Sequence, residues 1–338
     1  MDFPWTSAPQ VGEPIEVSKG IFWFRLPLPM ALDHVNFYVV DEGDSWTIID
    51  TGLWSKKTLS IWRSIVDQYF NNKPIGRVIV THHHPDHVGL AGWICRKFSV
   101  PLYMSRSEYL MCRVLVGDTG REAPEEGMDL YRGAGFTKVQ LDSYAERFGG
   151  FGRAVSKLPD NYIRLRDKEI ISIGNYQWEA VVGSGHCPEH VCLYSKELNL
   201  LISGDQVLPK ISSNVSVFPT EPLSNPLEDW LESCHNIKNR IPNDVLVLPS
   251  HNEPFRGLHQ RLDNLIDGHE RNLDRLLDLC NEPKRAVDVF SVLFKRTISE
   301  DVLLMATGES IAHLNCLLMR NLIKAHKDKS GVIFYQKT

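Results

Sequence analysis

The sequence predicts an α/β fold in which helices cover the outer faces of β-sheets. Three observations predict it. The N-terminal region divides into short aromatic and β-branched segments joined by turn residues, the pattern of an antiparallel meander. From Trp54 to Met104 helical and extended patterns alternate. Four short apolar runs, beginning with Val78-Ile79-Val80, each stop at a loop that carries histidine or aspartate.

Taken in order, Ile15–Val17, Gly20–Leu26, Val35–Val40 and Trp46–Ile49 read as strands, with Asp41-Glu42-Gly43-Asp44 as a turn. Trp54–Phe70 has apolar residues at helical spacing. Arg77–Val80 returns as a strand, Gly89–Phe98 as a helix and Pro101–Met104 as a further strand. Residues 105–160 are charged and punctuated by glycine, with helical stretches at Ser107–Leu115 and Val139–Phe148, and read as a helical insertion. Strands resume at Tyr162–Leu165, Glu169–Ile173, Trp178–Val182, Val191–Tyr194 and Leu198–Ile202. Helix Pro226–Asn239, strand Val245–Leu248 and a long helix ending near Cys280 complete a unit of residues 1–282. Residues 283–338 form a second unit: helices at Arg285–Phe294, Asp301–Met305 and Ser310–Ala325, then a small strand at Gly331–Tyr335.

Composition narrows the function classes. A chain of 338 residues with 43% hydrophobic and 23% charged residues can bury a sizeable core. A net charge of -5 argues against coating nucleic acid by bulk electrostatics. The N-terminus has no basic region followed by an apolar stretch, and no apolar run is long enough to span a bilayer, so a cytoplasmic protein is expected. Seven scattered cysteines without a Cys-x-x-Cys pair read as reduced thiols, and Cys187 reads as a buried one.

The chemistry centres on Thr81-His82-His83-His84-Pro85-Asp86-His87-Val88-Gly89. Alternate side chains of an extended segment share a face, so His82 and His84 converge while His83 points away. Pro85 keeps His84 extended, because the residue before a proline is pushed out of helical geometry. Asp86 and His87 then lie on the turn, aimed at a neighbouring position, and two adjacent ions are the natural reading. Downstream come Gly183-Ser184-Gly185-His186, Ser203-Gly204-Asp205 and Leu248-Pro249-Ser250-His251, each after a short apolar run.

These four motifs, in this order, resemble the metallo-β-lactamase-fold hydrolase superfamily, and the Thr-His-His-His-x-Asp-His-x-Gly form looks most like its glyoxalase II branch. The resemblance spans roughly residues 15–270 and implies a four-layer αββα sandwich. The tail is similar to the winged-helix-like domain of lactamase-beta-2-like members, and its nine basic against five acidic residues after Glu282 read as a surface packed on the body or on a second subunit. By the family pattern His82, His84 and His186 hold one ion, Asp86, His87 and His251 hold the other, and Asp205 bridges them. Asp86 would also orient the attacking water and carry a proton to the leaving group. Asp50, of Asp50-Thr51-Gly52, would accept a hydrogen bond from a ligand imidazole, with helix capping as its alternative role. His190 reads as a partner behind the ligands.

Neutral imidazoles and carboxylates suit zinc and also accept iron or manganese. Substrate-lining candidates are Tyr144, Phe148, Phe151, Asn214 and Arg256, with packing as the alternative for the three aromatics and surface exposure for Arg256. The expected reaction is hydrolysis of a small thioester or ester, an acyl-glutathione, an acyl-coenzyme A or a lactone. A metal-dependent endoribonuclease and a non-hydrolytic iron-binding redox or sensor protein are the competing readings, and a homodimer fits the tail.

Overall fold

The computed structural model describes residues 1–70 and 73–338. Strands β1 (Ile15–Ser18), β2 (Ile21–Pro27), β3 (His34–Asp41) and β4 (Trp46–Ile49) form the antiparallel meander. Helix α1 (Lys56–Ile65) leads back to β5 (Ile75–Ile79), which lies parallel to β4. After the short α2 (Pro85–Val88) and α3 (Ala91–Phe98), β6 (Leu102–Met104) joins in parallel. The insertion contributes α4 (Arg106–Gly117), α5 (Glu125–Ala134) and α6 (Lys138–Arg147) before β7 (Ile163–Arg164) closes this sheet, whose strands lie in sequence order.

The second sheet is built from β8 (Ile170–Ile173), β9 (Tyr176–Gly183), β10 (His190–Ser195) and β11 (Leu200–Gly204), all antiparallel. Helix α7 (Pro226–Arg240) then crosses over to β12 (Leu246–Pro249), parallel to β11. The chain ends with α8 (Leu258–Leu279), α9 (Phe290–Leu293), α10 (Leu303–Met319) and the hairpin β13 (Ile323–Lys327) and β14 (Ile333–Lys337).

Alternation along the strands explains the four layers. In β3, Tyr38 and Val40 face the second sheet while Val35, Phe37 and Val39 face the helices. In β10, Val191 and Leu193 face the first sheet and Cys192 and Tyr194 face α7 and α8. Strands buried on both faces read as continuous apolar runs, which is why the motifs stand out against them. The two sheets are stapled at one end: Asn36 donates to the carbonyls of Pro249 (2.9 Å) and Asn252 (2.7 Å), and the Tyr38 hydroxyl donates to Pro249 (2.8 Å). Those bonds fix the end of β12, two residues before His251.

Several local expectations change. Helix α5 was not legible, because two glycines interrupt its apolar spacing. Both permit close contact: a Cβ on Gly127 would lie 2.2 Å from the Tyr144 hydroxyl, and one on Gly133 would lie 3.2 Å from Ile333. In the tail, the segments expected to break near Gly308 form one helix, since Gly308 admits the backbone of Val217 and the side chain of Ser216, each 2.9 Å from a built Cβ. The end of the expected Ser310–Ala325 helix is instead β13, which pairs with β14. Capping of α1 falls to Ser55, whose hydroxyl accepts from Thr58 N (3.0 Å), and not to Asp50.

The tail shares one hydrophobic cluster with α7 and α8: Ala286, Val289, Leu314 and Leu317 join Leu262, Leu273 and Leu276. All seven cysteines are buried and unpaired. Among the described residues no helix is long and apolar enough to cross a membrane.

Candidate metal centre

The C-terminal ends of β4, β5, β9, β11 and β12 gather at one edge of the sandwich. Pairing of β4 with β5 sets Asp50 beside Thr81, and Asp50 N donates to Ile79 O (2.9 Å). Across the seam, Val191 N donates to Thr81 O (2.9 Å), and within the second sheet Ser250 N donates to Gly204 O (3.1 Å). The four motifs, up to 169 residues apart in the chain from His82 to His251, thereby meet.

Two groups of side chains face one another there. His82 Nε2 lies 3.1 Å from His84 Nδ1 and 3.3 Å from His186 Nε2. Beside them, Asp86 Oδ2 is 3.5 Å from both His87 Nε2 and His251 Nε2. Asp205 sits between the groups: Oδ1 is 3.4 Å from His251 Nε2, while Oδ2 is 3.5 Å from His186 Nε2 and 3.6 Å from His87 Nε2. His83 points away, and its ring donates from Nδ1 to Glu108. His84 keeps the extended geometry that Pro85 imposes, with φ -60° and ψ 145°.

The far side of four of these rings is already engaged. His87 Nδ1 donates to Asp50 Oδ2 (2.9 Å), His186 Nδ1 to Asn214 O (2.7 Å) and His251 Nδ1 to His34 O (2.8 Å). His82 Nδ1 donates to Thr81 Oγ1 (2.9 Å), which in turn donates to Asp50 (2.9 Å). Asp50 therefore backs one imidazole of each group. It adopts φ +62°, a conformation an aspartate tolerates better than most side chains. With Nδ1 protonated on His82 and His186, their facing Nε2 atoms both carry lone pairs, and lone pairs 3.3 Å apart repel unless a cation lies between them. His87 Nε2 and Asp205 Oδ1 are buried without any hydrogen bond. These are donor atoms arranged for metal, and the residues fit it.

Electrostatics divide the two groups. Burial pushes His82, His84 and His186 below the ordinary histidine range, so they stay neutral. Burial acts the same way on His87 and His251, but nearby Asp86 and Asp205 outweigh it, raising His87 well above its usual value and His251 to about 10.

His190 is fully buried, and its Nε2 accepts from Asp205 N (3.0 Å). Burial lowers it to about 3, which keeps that nitrogen free to accept. Its ring explains Gly204: a Cβ there would lie 2.5 Å from the imidazole, and φ is +53°.

The candidate substrate residues separate. Phe151 lies beside the motif, its ring 6.3 Å from that of His83. Asn214 borders the centre through its carbonyl. Tyr144 and Phe148 instead pack in the insertion, Tyr144 against Tyr131 (4.5 Å between ring centres) and Phe148 against Tyr144 (6.1 Å). Arg256 is a correction too. Its backbone pairs with Asp2 and its guanidinium donates to the Asp244 carbonyl, so it fastens the N-terminus.

One residue near the centre escaped sequence reasoning. Glu108 of α4 is fully buried and accepts from His83 N (2.9 Å), the His83 ring and Glu189 N (2.9 Å), clasping the loops of the first two motifs together. Cys187, read from sequence as a buried thiol, is buried; it lies 3.8 Å from His84 Nε2 and stands with His82, His84 and His186 as one group of potential donors within 4.8 Å of one another. Burial raises its thiol well above the usual range. The Glu108 contact had no local signal, since its partners are 25 and 81 residues away.

With this geometry in place, comparison identifies the family. Residues 30–279 match the model of the metallo-beta-lactamase superfamily. The chain belongs to that superfamily. Residues 273–338 match a metallo-beta-lactamase-like C-terminal domain. A beta-lactamase domain protein from Burkholderia ambifaria superimposes with a TM-score of 0.91 at 35% identity, covering 100% of this chain and 98% of its own. The Bacillus subtilis protein named probable metallo-hydrolase YqjP is 24% identical over 94% of this chain and 98% of its own length. The Homo sapiens protein named acyl-coenzyme A thioesterase MBLAC2 is 24% identical over 71% of this chain and 80% of its own.

Proposed function

We propose that this metallo-beta-lactamase superfamily protein is a hydrolase of a small thioester or ester, such as an acyl-glutathione, an acyl-coenzyme A or a lactone, working with two divalent ions, zinc by the chemistry of the donors. The observation that carries the reading is Asp205, whose carboxylate faces both imidazole groups, Oδ2 toward His186 and His87 and Oδ1 toward His251, within 3.4–3.6 Å. His82, His84 and His186 would hold one ion and Asp86, His87 and His251 the other, with Asp205 shared. Bound there, the pair supplies Lewis acidity toward a carbonyl and a water whose pKa falls to near 7.

The chain's own groups do the rest. His190 and Ser213 hold the Asp205 backbone N–H and carbonyl, which fixes the point from which its carboxylate projects. Asp86 keeps 20% of its side chain open, against 0% and 2% for His87 and His251, so it is the carboxylate of its group that a water and a leaving group can reach. Its position suits it to orient the attacking water and to pass a proton to the departing thiolate or alkoxide. The thioester preference is supported by the relative named acyl-coenzyme A thioesterase and by the likeness of the first motif to glyoxalase II.

The test is metal analysis followed by turnover of lactoylglutathione, an acyl-coenzyme A, a lactone and a short RNA. Two ions per chain with thioester or ester turnover, abolished by chelator, is expected. Cleavage of RNA alone, or full turnover in chelator, overturns the reading.

A further inference from the structure

We propose that helix α10 of the C-terminal segment is a positioning element of the metal centre, holding His186 through Asn214 and Glu309. This rests on the two-ion reading above.

The link runs through the loop of residues 212–217. Its carbonyl at Asn214 accepts the Nδ1 proton of His186 at 2.7 Å, and its Ser213 hydroxyl donates to the carbonyl of Asp205. One short segment thus touches two of the proposed ligand residues from behind. Within the described chain it lies between β11 and α7, and its own hydrogen bonds go mostly to the C-terminal helices. Asn214 Nδ2 donates to Glu309 Oε2 (2.9 Å). The Ser216 hydroxyl reaches Asn214 Oδ1 (2.7 Å) and Met305 O (3.3 Å), and Val217 N donates to Gly308 O (3.0 Å).

A second line of bonds anchors the start of the loop. His313 Nδ1 donates to Glu309 O (2.8 Å), which leaves its Nε2 to accept from His269 Nδ1 (3.1 Å). His269 Nε2 is then left to accept from the Ser212 hydroxyl (2.9 Å). Donor and acceptor roles are consistent along the whole path with both rings neutral, and burial lowers His269 to about 3 and His313 to about 4. Loop, α8 and α10 are therefore joined by one continuous path of hydrogen bonds.

Sequence agrees with this role for α10. Gly308 has no side chain where the loop backbone presses in, and any Cβ would lie 2.9 Å from Val217 O. Glu309 is partly exposed but closely flanked by protein, and that crowding raises its carboxyl to about 7. A neutral amide at this position would keep an acceptor for Asn214. Removing the side chain would leave the Asn214 amide without a partner and free the carbonyl that orients His186. Loss of a partner behind a metal-binding histidine weakens metal affinity by about 10–100-fold.

The experiment is zinc titration by chelator competition on the full chain, comparing wild type with Glu309→Ala, Glu309→Gln and Asn214→Ala. The exchange rate of the His186 Nδ1 proton, followed by NMR in the metal-free protein, is the second readout. Expected are two zinc ions on the wild type and, in Glu309→Ala and Asn214→Ala, one of the two bound at least about tenfold more weakly. Faster exchange of the His186 proton should accompany the loss, and Glu309→Gln should stay within about twofold of wild type. Because Asn214→Ala leaves α10 unaltered, it carries the test if Glu309→Ala does not fold. Wild-type affinity and exchange in both alanine variants overturn the inference while the two-ion reading stands. Equal weakening in Glu309→Gln and Glu309→Ala with unchanged proton exchange also overturns it, as that reports general loosening. A wild type that takes up no zinc removes the two-ion reading and this inference with it.

Discussion

Asp50 Oδ2 lies 2.9 Å from His87 Nδ1, and the same carboxylate receives the Thr81 hydroxyl that backs His82. One buried side chain therefore sets the tautomer of a histidine in each half of the centre. Asp50→Asn keeps the shape and tolerates the φ of +62°, but offers one acceptor oxygen where two are used. It should weaken zinc binding by about 10–100-fold while leaving the fold intact. Chelator competition and circular dichroism check the two halves of that statement, and unchanged affinity would show that Asp50 serves only the backbone.

Asp205 makes a sharper prediction, because its oxygens face both groups. Asp205→Asn should reduce the metal content from two ions to one and remove most of the turnover. Elemental analysis of the purified variant gives the stoichiometry. A variant that keeps two ions and full turnover would refute the bridging role.

Glu108 should matter for stability and for the centre together. Glu108→Ala leaves the buried His83 N without an acceptor, at about 1–3 kcal/mol, and the part-buried Glu189 N at less. Urea unfolding should show that loss, and zinc affinity should fall because the loops carrying His82, His84 and His186 are no longer clasped. Glu108→Gln, which retains one carbonyl oxygen, should lie between. Stability lost with zinc affinity intact would restrict Glu108 to packing.

The His269–His313 pair predicts a pH dependence. Both rings are held neutral by burial, at about 3 and about 4, whereas the unfolded chain takes up a proton at each near 6.5. The folded state is therefore favoured above pH 6.5 and loses that advantage as pH falls toward the folded values. Each ring contributes up to about 1.4 kcal/mol per pH unit to the slope in that window. Replacing one ring, as in His269→Asn, should flatten unfolding free energy against pH between 6.5 and 5. An unchanged slope would mean that these rings already carry protons in the native state.

What the sequence made legible follows from where the information lies. The spacing of candidate donors in His82-x-His84-x-Asp86-His87 is local, and the apolar runs before it and before His186, Asp205 and His251 mark strand ends without knowledge of the fold. Asp50 was readable from its place after β4, although only the structure separated its role behind His87 from helix capping, which Ser55 performs. Glu108 and Glu309 were not readable. Each sits in an ordinary helical stretch, and the partners that give them meaning are 25 to 95 residues away. Helix α5 was hidden because Gly127 and Gly133, which weaken a helical pattern, are there to let Tyr144 and Ile333 approach. Arg256 looked available for an anion because its positive charge is visible in sequence, whereas the Asp244 carbonyl that occupies it is not.

The donors are divided between the two halves of the sandwich, with His82 and His186 facing each other across 104 residues of chain. An ion held there is a removable cross-link between halves that otherwise meet through apolar contacts and a few staples such as Asn36 to Pro249. Stripping it would loosen the seam, so limited proteolysis should open the chelated protein between β7 and β8 first. Supply of metal would then govern how long the folded chain survives as well as how fast it works.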